Sequence, residues 1–103
     1  MSERNFPHPK LEDVALPDLL FALSDPTRLG IVNMLADGAE HSSGELAGEI
    51  PKSTMSHHLK ILREAGLTRT EPDGMRCRIT LRRGEVERRF PGMLDAILQH
   101  AGK

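Results

Sequence analysis

A single cysteine, Cys77, stands in a chain of 103 residues. That excludes an internal disulfide framework and, by itself, a thiolate-rich zinc site, and it suits a reducing cytosol. No run approaches the roughly 18 apolar residues of a membrane span, and the opening MSERNFPHPK has no apolar stretch of signal-peptide type. The expectation is therefore a cytoplasmic protein with no membrane partner. Signatures of catalysis are missing as well: there is no nucleophile elbow, glycine-rich phosphate loop or paired-carboxylate pattern. A core this small is expected to leave little room for a substrate pocket of ordinary size, and no enzyme activity and no cofactor are predicted.

Excess charge of either sign is absent too, with 14 Lys and Arg against 15 Asp and Glu and a formal net charge of -1. Taken alone that argues against a nucleic-acid binder, which is usually basic. The distribution argues otherwise. Residues 1–50 hold three basic and nine acidic groups, a net of -6, whereas residues 51–90 hold ten basic and five acidic groups, a net of +5. Two readings stay open: a polyanion partner for the second half, or a solvated basic face paired with the chain's own acidic half.

What is present reads as one domain, 11–103, preceded by a flexible arm over residues 1–10 that contains two prolines. A first helix is predicted over 11–24, or a short turn followed by a helix from Pro17. Asp25 and Pro26 supply an N-cap and a first helical residue, and apolar residues then recur at helical spacing to Asp37-Gly38. Ser42 and Glu45 have the capping-box spacing, which starts a short helix running through Ile50. After Pro51 a helix runs from Lys52 to Ala65 and is closed by Gly66. The period then changes. Strands at Leu67–Glu71 and Met75–Leu81 flank Pro72-Asp73-Gly74 as a hairpin, and a C-terminal helix over 84–101 is interrupted at Pro91-Gly92.

Short helix, turn, second helix and hairpin spell a mainly α fold with a small β-hairpin, a winged helix-turn-helix with the helical motif at 43–66 and the wing at 67–81. Within the Lys52–Ala65 helix, Met55, Leu59 and Leu62 form an apolar stripe. The other face carries Lys52, Ser53, Thr54, Ser56, His57 and Lys60, small hydrogen-bonding groups beside cations, as a helix entering a major groove needs. Ser42 and Ser43 would meet phosphate at the start of the motif. Arg76 and Arg78, on the outward face of the second strand, would meet it from the wing. Cys77, on the inward face of that strand, is predicted as a small buried hydrophobe, with a redox role as the lesser alternative.

Three segments resemble the ArsR/SmtB family of bacterial winged-helix repressors: Ala22-Leu23-Ser24-Asp25-Pro26-Thr27-Arg28, Gly44-Glu45-Leu46-Ala47, and Ser53 through Leu67 with its Ser-x-His-Leu-x-x-Leu-x-x-Ala-Gly-Leu run. The resemblance implies a symmetric dimer built from the first and last helices, and repression of an operator through two recognition helices. It puts the DNA-reading positions on Lys52, Ser53, Ser56 and His57, and has His58 packed. Family members that sense metals carry a cysteine cluster at the start of the motif, or histidines and carboxylates along the last helix. Here Glu40-His41-Ser42-Ser43 lacks cysteine, and Asp95 and His100 are too far apart around a helix to share one ion, so no metal site is predicted.

For the dimer interface the candidates are Leu16, Leu19, Leu20, Leu23, Phe90, Leu94, Ile97 and Leu98, with packing inside one chain as the competing use. The leading function is a homodimeric repressor that binds a pseudo-palindromic operator in double-stranded DNA near its own gene and is released by an effector the sequence does not identify. The alternative is a winged-helix protein-interaction module without specific DNA binding.

Overall fold

A computed structural model of the chain describes residues 6–101. After a 3-10 turn at Leu11–Asp13 come helices α1 (Leu16–Leu23) and α2 (Pro26–Leu35) and a two-residue strand β1 (His41–Ser42). Helices α3 (Ser43–Ala47) and α4 (Lys52–Glu64), strands β2 (Thr68–Asp73) and β3 (Arg76–Leu81), and helices α5 (Arg83–Arg89) and α6 (Met93–Leu98) complete the fold. The first helix thus takes the second of its two predicted forms, a turn and then a helix with Pro17 in its first turn, where the missing N–H costs nothing.

Local signals set most boundaries. Asp25 caps α2 by accepting from the N–H groups of Thr27 (2.9 Å) and Arg28 (3.1 Å), and this backbone hydrogen bonding holds its carboxyl below the usual aspartate range. Ser42 and Glu45 form the reciprocal capping box at 2.8 and 3.1 Å. Gly66, at φ +83°, ends the α4 segment where an added Cβ would lie 2.9 Å from Val14 Cγ2, so both its conformation and its neighbour require glycine.

The hairpin turn falls later than predicted. Asp73 pairs with Arg76, leaving Gly74-Met75 as a two-residue loop. Gly74 has φ +64° and no non-glycine residue among those described has positive φ, which is the type II′ arrangement. Pro72 therefore sits inside β2, which it can do because the sheet order β1-β3-β2 leaves β2 at an edge. The sheet also holds a third strand that the sequence did not announce: β1 pairs with β3 through His41–Ile79 and Ser42–Arg78.

The expected C-terminal helix over 84–101 is two short helices. Pro91 ends the first, and Gly92 turns the chain with φ +79° while its N–H donates to the Glu87 carboxylate. Leu19, Leu23, Val32, Leu35, Leu62, Leu67, Ile79, Val86 and Leu94 fill one core between the helices and the inner face of the sheet.

The N-terminal segment is also not the free arm expected, at least from residue 6 onward; residues 1–5 lie outside the described residues. His8 Nε2 accepts from the Thr70 N–H on the β2 edge (3.0 Å), and Arg82 donates to the Pro9 carbonyl (2.9 Å). Arg89 donates to the carbonyls of Leu11 and Val14, both at 3.1 Å. Arg82 and Arg69 share Glu85 and lower its carboxyl from 4.5 to about 2. Burial and the nearby Arg69, Arg82 and Arg63 charges push the His8 imidazole below 6.5.

Both shifts have one sign. The stabilisation from a depressed carboxyl is full above its unfolded value of 4.5 and fades as pH falls toward 2. That from His8 is full above 6.5 and fades below it. Stability should therefore fall in two steps on acidification. Glu85→Gln should reduce the lower step, which Asp25 shares, and His8→Gln the upper, as read by urea midpoints between pH 7 and pH 3.

Candidate nucleic-acid interface

Helix α4 is held on one side and open on the other. Met55, Leu59 and Leu62 are buried in the core, while Lys52, Ser53, Thr54, Ser56, His57 and Lys60 are all exposed. The two faces follow from placing apolar residues at i, i+4 and i+7 of a 3.6-residue helix.

His58 is turned inward, as expected, and its partner was not foreseen. Its Nδ1 lies 3.2 Å from an Arg28 guanidinium nitrogen and 4.0 Å from an Asp25 carboxylate oxygen. Arg28 itself is only 6% exposed. Its Nε donates to the Ala22 carbonyl (2.8 Å) and a second guanidinium nitrogen to that of Phe21 (3.3 Å), which satisfies the free C-terminal carbonyls of α1. The guanidinium also lies 5.2 Å from the Phe21 ring centroid. One buried cation thus ties the end of α1 and the start of α2 to the middle of α4. The sequence signal was an arginine three residues after an N-cap, which by itself says nothing about a partner thirty residues away.

The start of the motif is fixed by its cap. The Ser42 hydroxyl oxygen accepts from Glu45, its backbone belongs to β1, and Ser43 is half-buried at the first turn of α3. Glu40, just before, binds Arg78 at 3.0 and 3.2 Å. Glu71 and Asp73 carboxylates both lie 3.7 Å from the same guanidinium. Arg78, expected as a phosphate contact, is therefore surrounded by three carboxylates that raise its pKa and neutralise its field. Arg76 on the wing is exposed, as is Met75 at the turn, which is 98% exposed.

The same correction applies to the basic half as a whole. Arg69, Arg82 and Arg89 hold the N-terminal segment or Glu85, Arg83 pairs with Asp95 and donates to the Ala36 carbonyl, and Arg63 stacks on Phe6. Much of the positive charge is internal scaffolding, held by backbone carbonyls and by carboxylates mostly outside residues 1–50 rather than by the acidic half. What faces outward on α4 is a short polar stripe with Lys52 and Lys60 at its two ends.

Among the described residues, no three His, Cys, Asp or Glu side chains come together as metal ligands, and no helix is long and apolar enough to cross a membrane. Cys77 is half-buried and in no disulfide.

Residues 23–71 match the helix-turn-helix domain family. The chain is 38% identical over 89 residues to the uncharacterised HTH-type transcriptional regulator YceK of Bacillus subtilis, covering 84% of this chain and 89% of that protein. It is 32% identical over 91 residues to the HTH-type transcriptional regulator CmtR of Mycobacterium tuberculosis, covering 86% and 76%. HlyU from Vibrio cholerae superposes with a TM-score of 0.69 at 32% identity, over 84% of this chain and 91% of that one. The chain belongs to the ArsR/SmtB family of winged helix-turn-helix regulators. The transcriptional repressor BigR from Xylella fastidiosa shares the fold with a TM-score of 0.64 and 29% identity, over 82% and 84% of the two chains.

In this ArsR/SmtB member α3, α4 and most of β2 fall within the residues matched as helix-turn-helix, and β2 and β3 form the hairpin of the winged fold. Regulators of this kind bind double-stranded DNA, and the chain is a DNA-binding transcriptional regulator.

Replacing Arg28 with methionine keeps the stem but strands the Ala22 carbonyl, whereas that of Phe21 keeps the Ser24 N–H and hydroxyl. It should cost about 2–3 kcal/mol, read as a lower urea midpoint at unchanged slope. Lys at this position cannot serve all three partners at once and should recover only part of the loss.

Proposed function

We propose that this regulator acts as a homodimeric repressor, setting two α4 helices into successive major grooves of a pseudo-palindromic operator near its own gene, with an effector releasing it. The observation that carries this reading is the α4 stripe. Lys52, Ser53, Thr54, Ser56, His57 and Lys60 are exposed together, on a helix whose opposite face is locked by the core and whose His58 is held by Arg28. Lys52 and Ser53 stand in the first turn, the part of a recognition helix that reaches base edges. Ser56 and His57 supply donors and acceptors for base reading, and Lys60 and Arg76 supply charge for phosphates. Arg78 has a smaller part in this scheme than the sequence suggested, because its charge is met within the wing. The chain acts by binding, and neither a metal nor a cofactor enters the reading.

Fluorescence anisotropy with a duplex from upstream of the chain's own gene tests the assignment. Ser56→Ala with His57→Ala should reduce discrimination against scrambled duplex by about 1–3 kcal/mol per lost base contact. Lys52→Gln should weaken both duplexes alike and lower the salt slope by about one. Unchanged specificity in the double variant would remove the stripe from the reading role.

The dimer contact needs apolar surface that the protomer does not use. Leu19, Leu23 and Leu94, candidates from the sequence, are buried within the protomer's own core. Leu16, Leu20 and Phe21 on α1 are 40%, 44% and 60% exposed, and Phe90, Ile97 and Leu98 are half-buried. Pairing through these groups would bring two recognition helices under one two-fold axis, as a palindromic site requires. Leu16→Glu with Leu20→Glu should give a monomer by sedimentation velocity, folded by circular dichroism and weakened on a full operator far more than on a half-site. A double variant that sediments as a dimer would place the contact elsewhere.

A further inference from the structure

Between α3, α4 and the wing lies a groove of about 620 Å³, larger than a domain of this size was expected to hold and within the range of small-molecule sites. Ala47, Ile50, Met55, Leu59 and Cys77 give it an apolar floor. The charged residues along it are Lys52, Lys60 and Arg63, all cations, and no carboxylate lines it.

Two polar atoms of its lining residues make no hydrogen bond among the described residues: Thr70 Oγ1, on a side chain 4% exposed, and the buried Arg63 Nε. The Arg63 guanidinium stacks on Phe6, 4.9 Å from the ring centroid. Buried polar groups left unmatched cost free energy, so both favour an acceptor that a small side-chain movement brings within reach.

We propose that this groove binds a small amphipathic carboxylate, with its aliphatic body on Ala47, Ile50 and Cys77 and its head group at Arg63 and Thr70. The apolar floor selects an aliphatic body, and the cationic rim selects an anionic head over a neutral or cationic one. Lys52, Ser56 and Lys60 belong both to the groove and to the DNA-reading stripe. A bound anion there neutralises cations that phosphate needs and occupies the space beside α4, so the occupied protein gives up DNA. That consequence rests on the DNA-reading role of α4 proposed above; the binding itself does not.

Decanoate serves as the probe, decanol as its uncharged counterpart, and Cys77 as a reporter within the groove. Decanoate should slow modification of Cys77 by N-ethylmaleimide in a saturable way, with decanol much less effective. Arg63→Gln should weaken that protection about tenfold, as loss of a charged hydrogen bond would. Ala47→Phe, which fills the floor, should abolish it, with thermal melts showing both variants folded. Decanoate should also displace the operator duplex from the native chain but not from Ala47→Phe.

Cys77 reactivity unmoved by millimolar decanoate, equal protection by decanol, or protection unchanged in both variants would overturn the site. Protection without displacement of bound duplex would overturn the release. A chain that binds no duplex at all, yet shows protection lost in both variants, would uphold the groove and remove the DNA-reading role instead.

Discussion

Helix α4 can present a fixed face only if its roll about its own axis is fixed, and the directional interaction that fixes it is the buried guanidinium of Arg28. Apolar packing of Met55, Leu59 and Leu62 sets the depth of α4 but is tolerant of small rotations, since dispersion contacts are individually weak and non-directional. A planar cation shared among the Ala22 and Phe21 carbonyls and the His58 ring is not tolerant. His57 points outward because His58 is held inward. The orientation of the polar stripe therefore depends on a buried residue on a different helix.

Arginine has a second structural use at the opposite edge of the domain. Arg82 and Arg89 collect the carbonyls of Pro9, Leu11 and Val14, and Glu85 balances Arg82 and Arg69. These contacts hold the stretch before α1 across the exposed edge of β2, where His8 also meets the Thr70 N–H. An open sheet edge is covered in this way. The wing follows the same logic, with Glu40 before β1 and Glu71 and Asp73 on β2 gathered around Arg78 on β3. The short β1–β3 pairing then links the start of α3 to the hairpin, so the two share one support.

Helix starts and stops were legible because their signals are local. Asp25 before Pro26, Ser42 three residues before Glu45, and Gly66 after a helical run each state their geometry within four residues of sequence. The two faces of α4 were legible for the same reason, since apolar spacing alone divides Met55, Leu59 and Leu62 from the polar stripe. Strand β1 was not: two residues carry no period. The hairpin turn was placed one position early because Pro72-Asp73-Gly74 reads as a turn, whereas the pairing of Asp73 with Arg76 extends the ladder and leaves Gly74 to open a type II′ loop. The groove beside α4 was equally hidden, being enclosed by side chains from α3, α4 and the wing, together with Phe6, that no short window contains.

The missing net charge shows the division most clearly. By itself the sequence determined a small single domain with a winged helix-turn-helix order of elements, an α4 polar on one face, and a basic second half. Only the tertiary structure decided which basic residues face outward. Hydrophobic period and capping act over a few residues, so they can be read along the chain. A guanidinium reaches carbonyls and carboxylates up to 78 positions away, and whether it serves the fold or a phosphate depends on what folding has brought beside it.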